Sequence, residues 1–156
     1  MVWSPEKLME LLGLREEELD CAGMKLHVDA IFRLREPGLL GRGSRKLPEV
    51  EEVKPINGFY RLPPGAYRIR YREVVRVPPR AVALAIPRSS LLRMGATIYT
   101  AVWDPGYEGR GEGLLTVFNP FGIEIEAEAQ VAQLVFVEMD RETRRLYRGA
   151  YYRENL

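Results

Sequence analysis

Pro87-Arg88-Ser89-Ser90-Leu91-Leu92-Arg93 is followed, after a strand-like run, by Trp103-Asp104-Pro105-Gly106-Tyr107-Glu108-Gly109. Asp104 to Tyr107 reads as a chain reversal with Pro and then Gly at its two central positions, the requirement of a type II turn. Similar punctuation recurs at Pro63-Pro64-Gly65 and Asn119-Pro120-Phe121-Gly122. Between these turns strands are expected at Thr97 to Trp103, Gly113 to Phe118, Ile123 to Ala127 and Gln130 to Glu138. Tyr67, Ile69 and Tyr71 alternate with Arg68, Arg70 and Arg72. Met24, Leu26, Val28, Ala30, Phe32 and Leu34 alternate with Lys25, His27, Asp29, Ile31, Arg33 and Arg35, and only Ile31 spoils the polar face. Period two marks half-buried strands. Ala81 to Ile86 is wholly apolar and reads as a core strand. Many short strands separated by such turns predict an all-β barrel or sandwich.

The flanks read differently. Ser4-Pro5-Glu6 is an N-cap followed by Pro at the first helical position. Leu8, Leu11 and Leu12 then supply an apolar face, and Gly13 ends the helix. Arg15 to Asp20 fits a second short helical turn, so residues 1–20 form an N-terminal helical segment. Gly38 to Pro55 is loop-like. Residues 141–156, charged and tyrosine-rich, read as a C-terminal arm leaving the core. At 156 residues the whole chain is expected to form one domain.

Composition narrows the chemistry. The net charge of +1 supplies no global field for nucleic acid or an acidic membrane. Arg outnumbers Lys 19 to 4, and Asn and Gln total only 5, which points to a thermophilic source and to anion recognition by guanidinium forks. Cys21 is the only cysteine and His27 the only histidine. An internal disulfide, a thiolate metal site, a Ser-His-Asp triad and a His-based zinc centre are thereby excluded. No apolar run is long enough for a membrane helix and no leader is evident, so the expected location is the cytoplasm.

Two clusters carry chemistry. Arg88, Ser89, Ser90 and Arg93 combine guanidiniums with hydroxyls, a set suited to polyphosphate oxygens, and the serines could open a short helix from Ser89 to Met94. Asp104 and Tyr107 stand at the first and last positions of one turn and can face one cleft, where a carboxylate can hold water and a ring can pack under a sugar. Capping of turns and cover of a sheet edge would explain the same residues without function. Glu124, Glu126 and Glu128 and the stripe Arg68, Arg70 and Arg72 read as solvated strand faces, not as metal or nucleic-acid sites.

In this order and spacing the clusters resemble the second and third motifs of the dUTPase/dCTP deaminase superfamily, most like its archaeal dUTPase branch. Val131-Ala132-Gln133-Leu134 resembles the fourth motif, Ala22-Gly23-Met24-Lys25-Leu26 the first, and Leu146 to Tyr151 the C-terminal arm. The resemblance implies a distorted β-barrel or jelly-roll with a short N-terminal helix, assembled as a homotrimer with active sites shared between subunits. It implies hydrolysis of dUTP to dUMP and pyrophosphate, with Mg²⁺ carried on the triphosphate, no protein metal site, and neither a nucleic-acid nor a membrane partner. Asp104 would hold the attacking water, and Tyr107 would pack against the deoxyribose. Arg88, Ser89, Ser90, Arg93, Gln133 and Lys25 would hold phosphates. Two departures stand out. Deaminases carry a glutamate on the strand after the third motif, where this chain has Leu114 or Thr116; Glu112 lies nearby in a Gly-rich turn. The first motif's aspartate is replaced by Lys25, for which Asp29 could compensate. A dCTP deaminase, bifunctional or not, and a non-catalytic nucleotide-binding relative are the alternatives.

Overall fold

In the computed structural model, which describes residues 1–156, Ser4 caps helix α1 (Pro5–Leu12) by accepting a hydrogen bond from Lys7 N at 3.4 Å, and Gly13 ends it with φ of 67°. A single 3₁₀ turn (Glu16–Glu18) leads into the strands β1 (Leu19–Asp20), β2 (Gly23–Leu34), β3 (Leu39–Leu40), β4 (Arg45–Lys46), β5 (Val50–Val53), β6 (Phe59–Leu62), β7 (Gly65–Tyr71), β8 (Val75–Arg76) and β9 (Ala81–Pro87). After the short helix α2 (Ser89–Arg93) come β10 (Ala96–Tyr99), β11 (Glu108–Gly109), β12 (Glu112–Val117), β13 (Ile123–Glu126) and β14 (Gln130–Glu138). The protein is all-β, as expected, and no helix is long and apolar enough to cross a membrane.

The main sheet runs β10-β12-β7-β2-β14-β9, with β1 and β5 also paired to β2. Its two ends nearly meet. Beyond β10, Trp103 and Ala83 of β9 exchange both backbone hydrogen bonds, at 2.9 and 3.0 Å, which brings the path round to a barrel-like form. β2 is the hinge of this arrangement: its first half pairs with β14 and its second half with β7 and β5.

A register shift between Val28 and Ala30 explains the residue that broke the alternation. The extra residue, Asp29, forms a β-bulge, which reverses the phase of the strand. Ile31 is therefore fully buried, whereas Leu34, expected on the core face, is exposed. Further expectations are corrected by pairing. Gly38 to Pro55 is no plain loop: β3 and β4 form a hairpin there and β5 joins the sheet. Ala81 to Ile86 is a strand, but only Ala81, Ala83 and Ala85 face the core, while Leu84 and Ile86 are exposed. The strand expected from Thr97 to Trp103 stops at Tyr99. Residues 141–156 do not leave the core: Tyr147 N bonds Pro105 O at 2.8 Å and Arg153 N bonds Glu108 O at 2.7 Å.

One core joins these elements, and Trp3 anchors the N-terminal segment to it. The Trp3 ring is fully buried and stacks on Phe136 with centroids 6.0 Å apart, and its indole N–H donates to Glu138 at 3.0 Å. Lys7 pairs with the same carboxylate at 2.7 Å, and Arg80 approaches from the other side. The hydrogen bonds from Lys7 and Trp3, reinforced by these charges, pull the Glu138 carboxyl down to about 2.

Candidate active site

The turn at Asp104 has the geometry its residues dictate: Tyr107 N bonds Asp104 O at 3.0 Å and Gly106 adopts φ of 83°, a left-handed value that glycine takes without a side-chain clash. Asp104 and Tyr107 line one cavity of about 620 Å³. Among its lining are the end of β10 and the loop after it, Tyr99 through Trp103, and Gly111 with the start of β12, Glu112 to Leu114. In that loop the peptide groups of Ala101 and Val102 take part in no backbone hydrogen bond, which leaves them able to pair with a flat heterocycle. Tyr107 is buried edge-on against Trp103, with ring centroids 5.2 Å apart at 81°. Burial, with Glu154 as hydrogen-bond acceptor, raises its phenol well above the ordinary range. The Asp104 carboxylate, by contrast, is exposed and makes no side-chain hydrogen bond to the protein.

Two glycines set the depth of this wall. A Cβ on Gly111 would lie 2.3 Å from the Trp103 ring, and one on Gly113 would lie 2.5 Å from the Tyr71 hydroxyl. The chain can therefore run close over both aromatics, and Glu112 between them enters the cavity lining. Glu112, expected in a Gly-rich turn, is in fact the first residue of β12 and pairs with Arg68 at 3.1 Å.

Sequence reasoning missed the tail's part in the site. Tyr147, Tyr151 and Glu154 close one side of the cavity, and Leu34, Leu47 and Pro48 complete the rim. Tyr107 donates its hydroxyl hydrogen to Glu154 Oε1 at 2.8 Å. Burial raises the Glu154 carboxyl above its ordinary value, aided by the nearby Glu112 charge and opposed by the Tyr107 hydrogen bond and Arg68. The sequence signals were the aromatic content of the arm and the resemblance of Leu146 to Tyr151 to the family's C-terminal arm.

The phosphate candidates occupy a different surface. Gln133 of β14 is the direct cross-strand partner of Lys25 on β2, and Arg88 N bonds Val131 O at 2.9 Å. Lys25, Gln133, Arg88, Ser89 and Ser90 thus sit at neighbouring positions where β2, β14 and β9 adjoin. The Gln133 amide is satisfied only with its oxygen toward Ala22 N at 3.0 Å and Gly23 N at 3.2 Å, which turns its NH₂ outward. Ser89 and Ser90 are exposed at the start of α2, and Arg93 is exposed at its end. Lys25 donates to Glu17 O at 3.0 Å and lines a separate, wholly polar cavity of about 310 Å³ with His27 and Glu73. None of these six residues lines the cavity that holds Asp104 and Tyr107.

Other sequence candidates find structural work. Asp29 does not compensate for Lys25, because it pairs with Arg70 at 2.5 Å. Arg68, Arg70 and Arg72 are matched by Glu112, Asp29 and Glu73 or Glu128. That pairing removes the free cationic stripe a nucleic acid would need. His27 is engaged by Glu73, with its Nδ1 2.5 Å from the carboxylate.

A second register shift, between Gln130 and Ala132, brings Gln130 to the same face as Gln133. Gln130 pairs with His27 and Gln133 with Lys25, so both glutamines share one face although they are an odd number of residues apart. Val131 and Ala132, consecutive and both buried, are the trace of that bulge.

The profile of the dCTP deaminase-like family matches residues 6–139. A probable deoxyuridine 5′-triphosphate nucleotidohydrolase of Aeropyrum pernix is 44% identical over 86% of this chain and 85% of its own. The deoxyuridine 5′-triphosphate nucleotidohydrolase of Methanocaldococcus jannaschii is 42% identical over 89% of this chain and 90% of its own. Among solved structures, a 2′-deoxycytidine 5′-triphosphate deaminase from Agrobacterium tumefaciens superposes with a TM-score of 0.64 at 17% identity, over 86% of this chain and 48% of that one. The last likeness concerns the fold alone.

Proposed function

Because the chain belongs to the dCTP deaminase-like family, we propose that it hydrolyses dUTP to dUMP and pyrophosphate, in the cytoplasm, as a step of pyrimidine deoxynucleotide metabolism. One observation carries the reading beyond kinship. Asp104 and Tyr107, set by a single turn, share a cavity with Ala101 and Val102, whose peptide groups make no backbone hydrogen bond within the chain and could pair with a pyrimidine. The base would lie along residues 99–103, and the deoxyribose would rest on the Tyr107 ring, which leaves no room for a 2′-hydroxyl. The Asp104 carboxylate, free of protein partners, would accept a proton from the attacking water as its oxygen bonds to the α-phosphorus. The bond from that phosphorus to the bridging oxygen breaks, and pyrophosphate leaves.

Lys25, Arg88, Ser89, Ser90, Arg93 and Gln133 are the proposed phosphate contacts, and they stabilise charge that builds on the leaving group. They would reach the cavity from a neighbouring copy in a homotrimer. Mg²⁺ is proposed to travel on the triphosphate. The side chains proposed for the phosphates carry guanidinium, ammonium, hydroxyl and amide donors, a set that suits phosphate oxygens. When bound, the ion would neutralise phosphate charge and polarise the α-phosphorus.

Glu112 favours one rival, because it is a carboxylate in the nucleoside cavity. It is held by Arg68, whereas Leu114 and Thr116, further along the same strand, offer no group suited to move a proton. Incubation with dUTP and with dCTP in Mg²⁺, with products resolved, decides between them. Pyrophosphate from dUTP and no ammonia from dCTP is the expected result. Asp104→Asn should lower turnover by about 10³-fold or more while dUTP-analogue binding persists. Ammonia from dCTP, or unchanged turnover in the variant, overturns the assignment.

A further inference from the structure

The face that carries Lys25 and Arg88 holds a carboxylate that neither the motifs nor the strand periodicity singled out. Asp20, on β1 beside Gly23, accepts a hydrogen bond from Gln130 Nε2 at 2.9 Å through Oδ2 and one from Cys21 N at 3.0 Å through Oδ1. The other end of the same amide, Gln130 Oε1, accepts from Arg88 Nη1 at 2.7 Å. We propose that Asp20 is a positioning residue of the phosphate cradle: it fixes the Gln130 amide, and Gln130 holds the Arg88 guanidinium toward the triphosphate. The inference rests on the hydrolase reading above and deepens it.

The chemistry of the three groups gives the chain its direction. An ionised carboxylate only accepts hydrogen bonds, so Asp20 admits the Gln130 amide with its NH₂ inward and its oxygen outward. The reversed amide would point its oxygen at a carboxylate and its NH₂ at a guanidinium, opposing like with like at both ends. With Oε1 outward, Gln130 takes one N–H of Arg88, and no other protein group takes the rest. The remaining donors of the planar fork are left for an anion, in the geometry that suits phosphate oxygens. The bulge at Val131 is what makes the contact possible, because an unbroken alternation would put Gln130 on the opposite face from Gln133.

Electrostatics agrees with the hydrogen bonds. The Gln130 and Cys21 contacts, helped by the positive charges of Arg88 and Lys25, hold the Asp20 carboxyl below its ordinary value. Asp20 is therefore a fixed anion between two cations. Its charge relieves their mutual repulsion while the site is empty. When a polyanion arrives, the same geometry leaves Arg88 aimed outward instead of collapsed onto a nearer carboxylate. The cradle's acidic member thus stands on β1, next to the strand where Lys25 replaces an acid.

The test uses the full-length protein and three probes: dUTP turnover, binding of a non-hydrolysable dUTP analogue, and binding of deoxyuridine. Asp20→Ala should weaken the analogue and raise the KM for dUTP about tenfold, with kcat changed less than about threefold. Deoxyuridine, which has no phosphate, should bind as before. Asp20→Asn keeps an acceptor oxygen and should recover most of the affinity. Arg88→Ala combined with Asp20→Ala should be no worse than Arg88→Ala alone, because both changes break one chain. Gln130→Leu removes the middle link and should show the same non-additivity with Arg88→Ala, which keeps the proposal open to test if Asp20→Ala folds poorly. Additive losses, an equal loss of deoxyuridine binding, or an Asp20→Ala protein as good as the parent would each overturn it. A parent protein that neither binds nor hydrolyses dUTP would instead overturn the functional reading on which it rests.

Discussion

The proposed nucleoside cavity and the proposed phosphate cradle are built by different physics. The cavity is an extension of the core: Trp103 packs between Tyr71 and Tyr107, with ring centroids 6.0 and 5.2 Å away, and the chain's own tail closes one side. The cradle is a surface of polar side chains on adjoining strands, held by Asp20, Gln130 and the backbone of residues 22–23, with several donors turned outward. One half is shaped by folding alone. The other presents donors that no protein group takes up. The lesson is that aromatic packing can complete a pocket within one chain, whereas a site for a highly charged tail keeps its donors unsatisfied until the ligand binds. The two halves share no cavity within a single chain, and that separation makes the sharpest predictions.

If a neighbouring copy supplies the cradle, two dead variants should rescue each other. Asp104→Asn spoils the cavity half and Arg88→Ala the cradle half. Refolded together in equal amounts, they should regain up to about one quarter of parent activity, the random share of sites that draw both intact halves from different chains. Each variant alone should stay near background. Absence of rescue in a mixture shown to contain mixed assemblies would place both halves in one chain and break the comparison.

A smaller effect should separate the halves by stability. Gly111→Ala drives a methyl into the Trp103 ring, which has aromatic neighbours on both sides and little room to yield. The expected loss is about 1–3 kcal/mol, a fall in Tm of roughly 2–4 °C for each kcal/mol, together with weaker deoxyuridine binding. Arg88→Ala, on the exposed cradle, should leave Tm within about 0.5 kcal/mol of the parent while weakening the triphosphate analogue. Thermal melts with each ligand distinguish the two, and equal Tm losses would contradict the division into core and surface.

The same division governs what the sequence reveals. The bounds of the strand Gln130–Glu138 are legible, because the expected run matches β14 from end to end and Ala127 and Glu128 turn the chain just before it. The Asp104 turn is legible because Pro and Gly leave the backbone few options. The faces taken by Ile31 and Gln130 are not, since each lies beside a bulge, and one extra residue reverses every later side chain without changing composition. Two consecutive buried apolar residues, Ala30-Ile31 and Val131-Ala132, are the only mark that such a bulge leaves. Asp20 and Glu154 escape notice for another reason: their partners, Gln130 and Tyr107, lie far along the chain, so no local pattern joins them. The arm was expected to leave because its charges suggest solvent. Yet Tyr147 packs on Tyr107 with centroids 5.9 Å apart, and backbone hydrogen bonds dock the strip that follows.

That docked tail gives the smallest prediction and tests the cavity half by itself. The Glu154 carboxyl is raised chiefly by burial, with the Glu112 charge adding to it and the Tyr107 hydroxyl and Arg68 working against it. A raised folded value means that the neutral acid is the form the docked tail prefers. The group's contribution is complete below its unfolded value near 4.5 and is lost as pH rises through the higher folded value. The tail should therefore loosen from acid toward neutral pH, the opposite of the trend at Glu138, whose contribution disappears as pH falls toward 2. Tryptic cleavage at Arg145 and Arg148, normalised at each pH to a small peptide substrate, should rise about threefold over that range, as expected for an opening worth under ~1 kcal/mol. Glu154→Gln, which cannot ionise, should flatten the profile and keep the tail docked. If the variant kept the parent's slope, Glu154 would not control the docking, and the tail's hold on the cavity would rest on Tyr147 and the backbone alone.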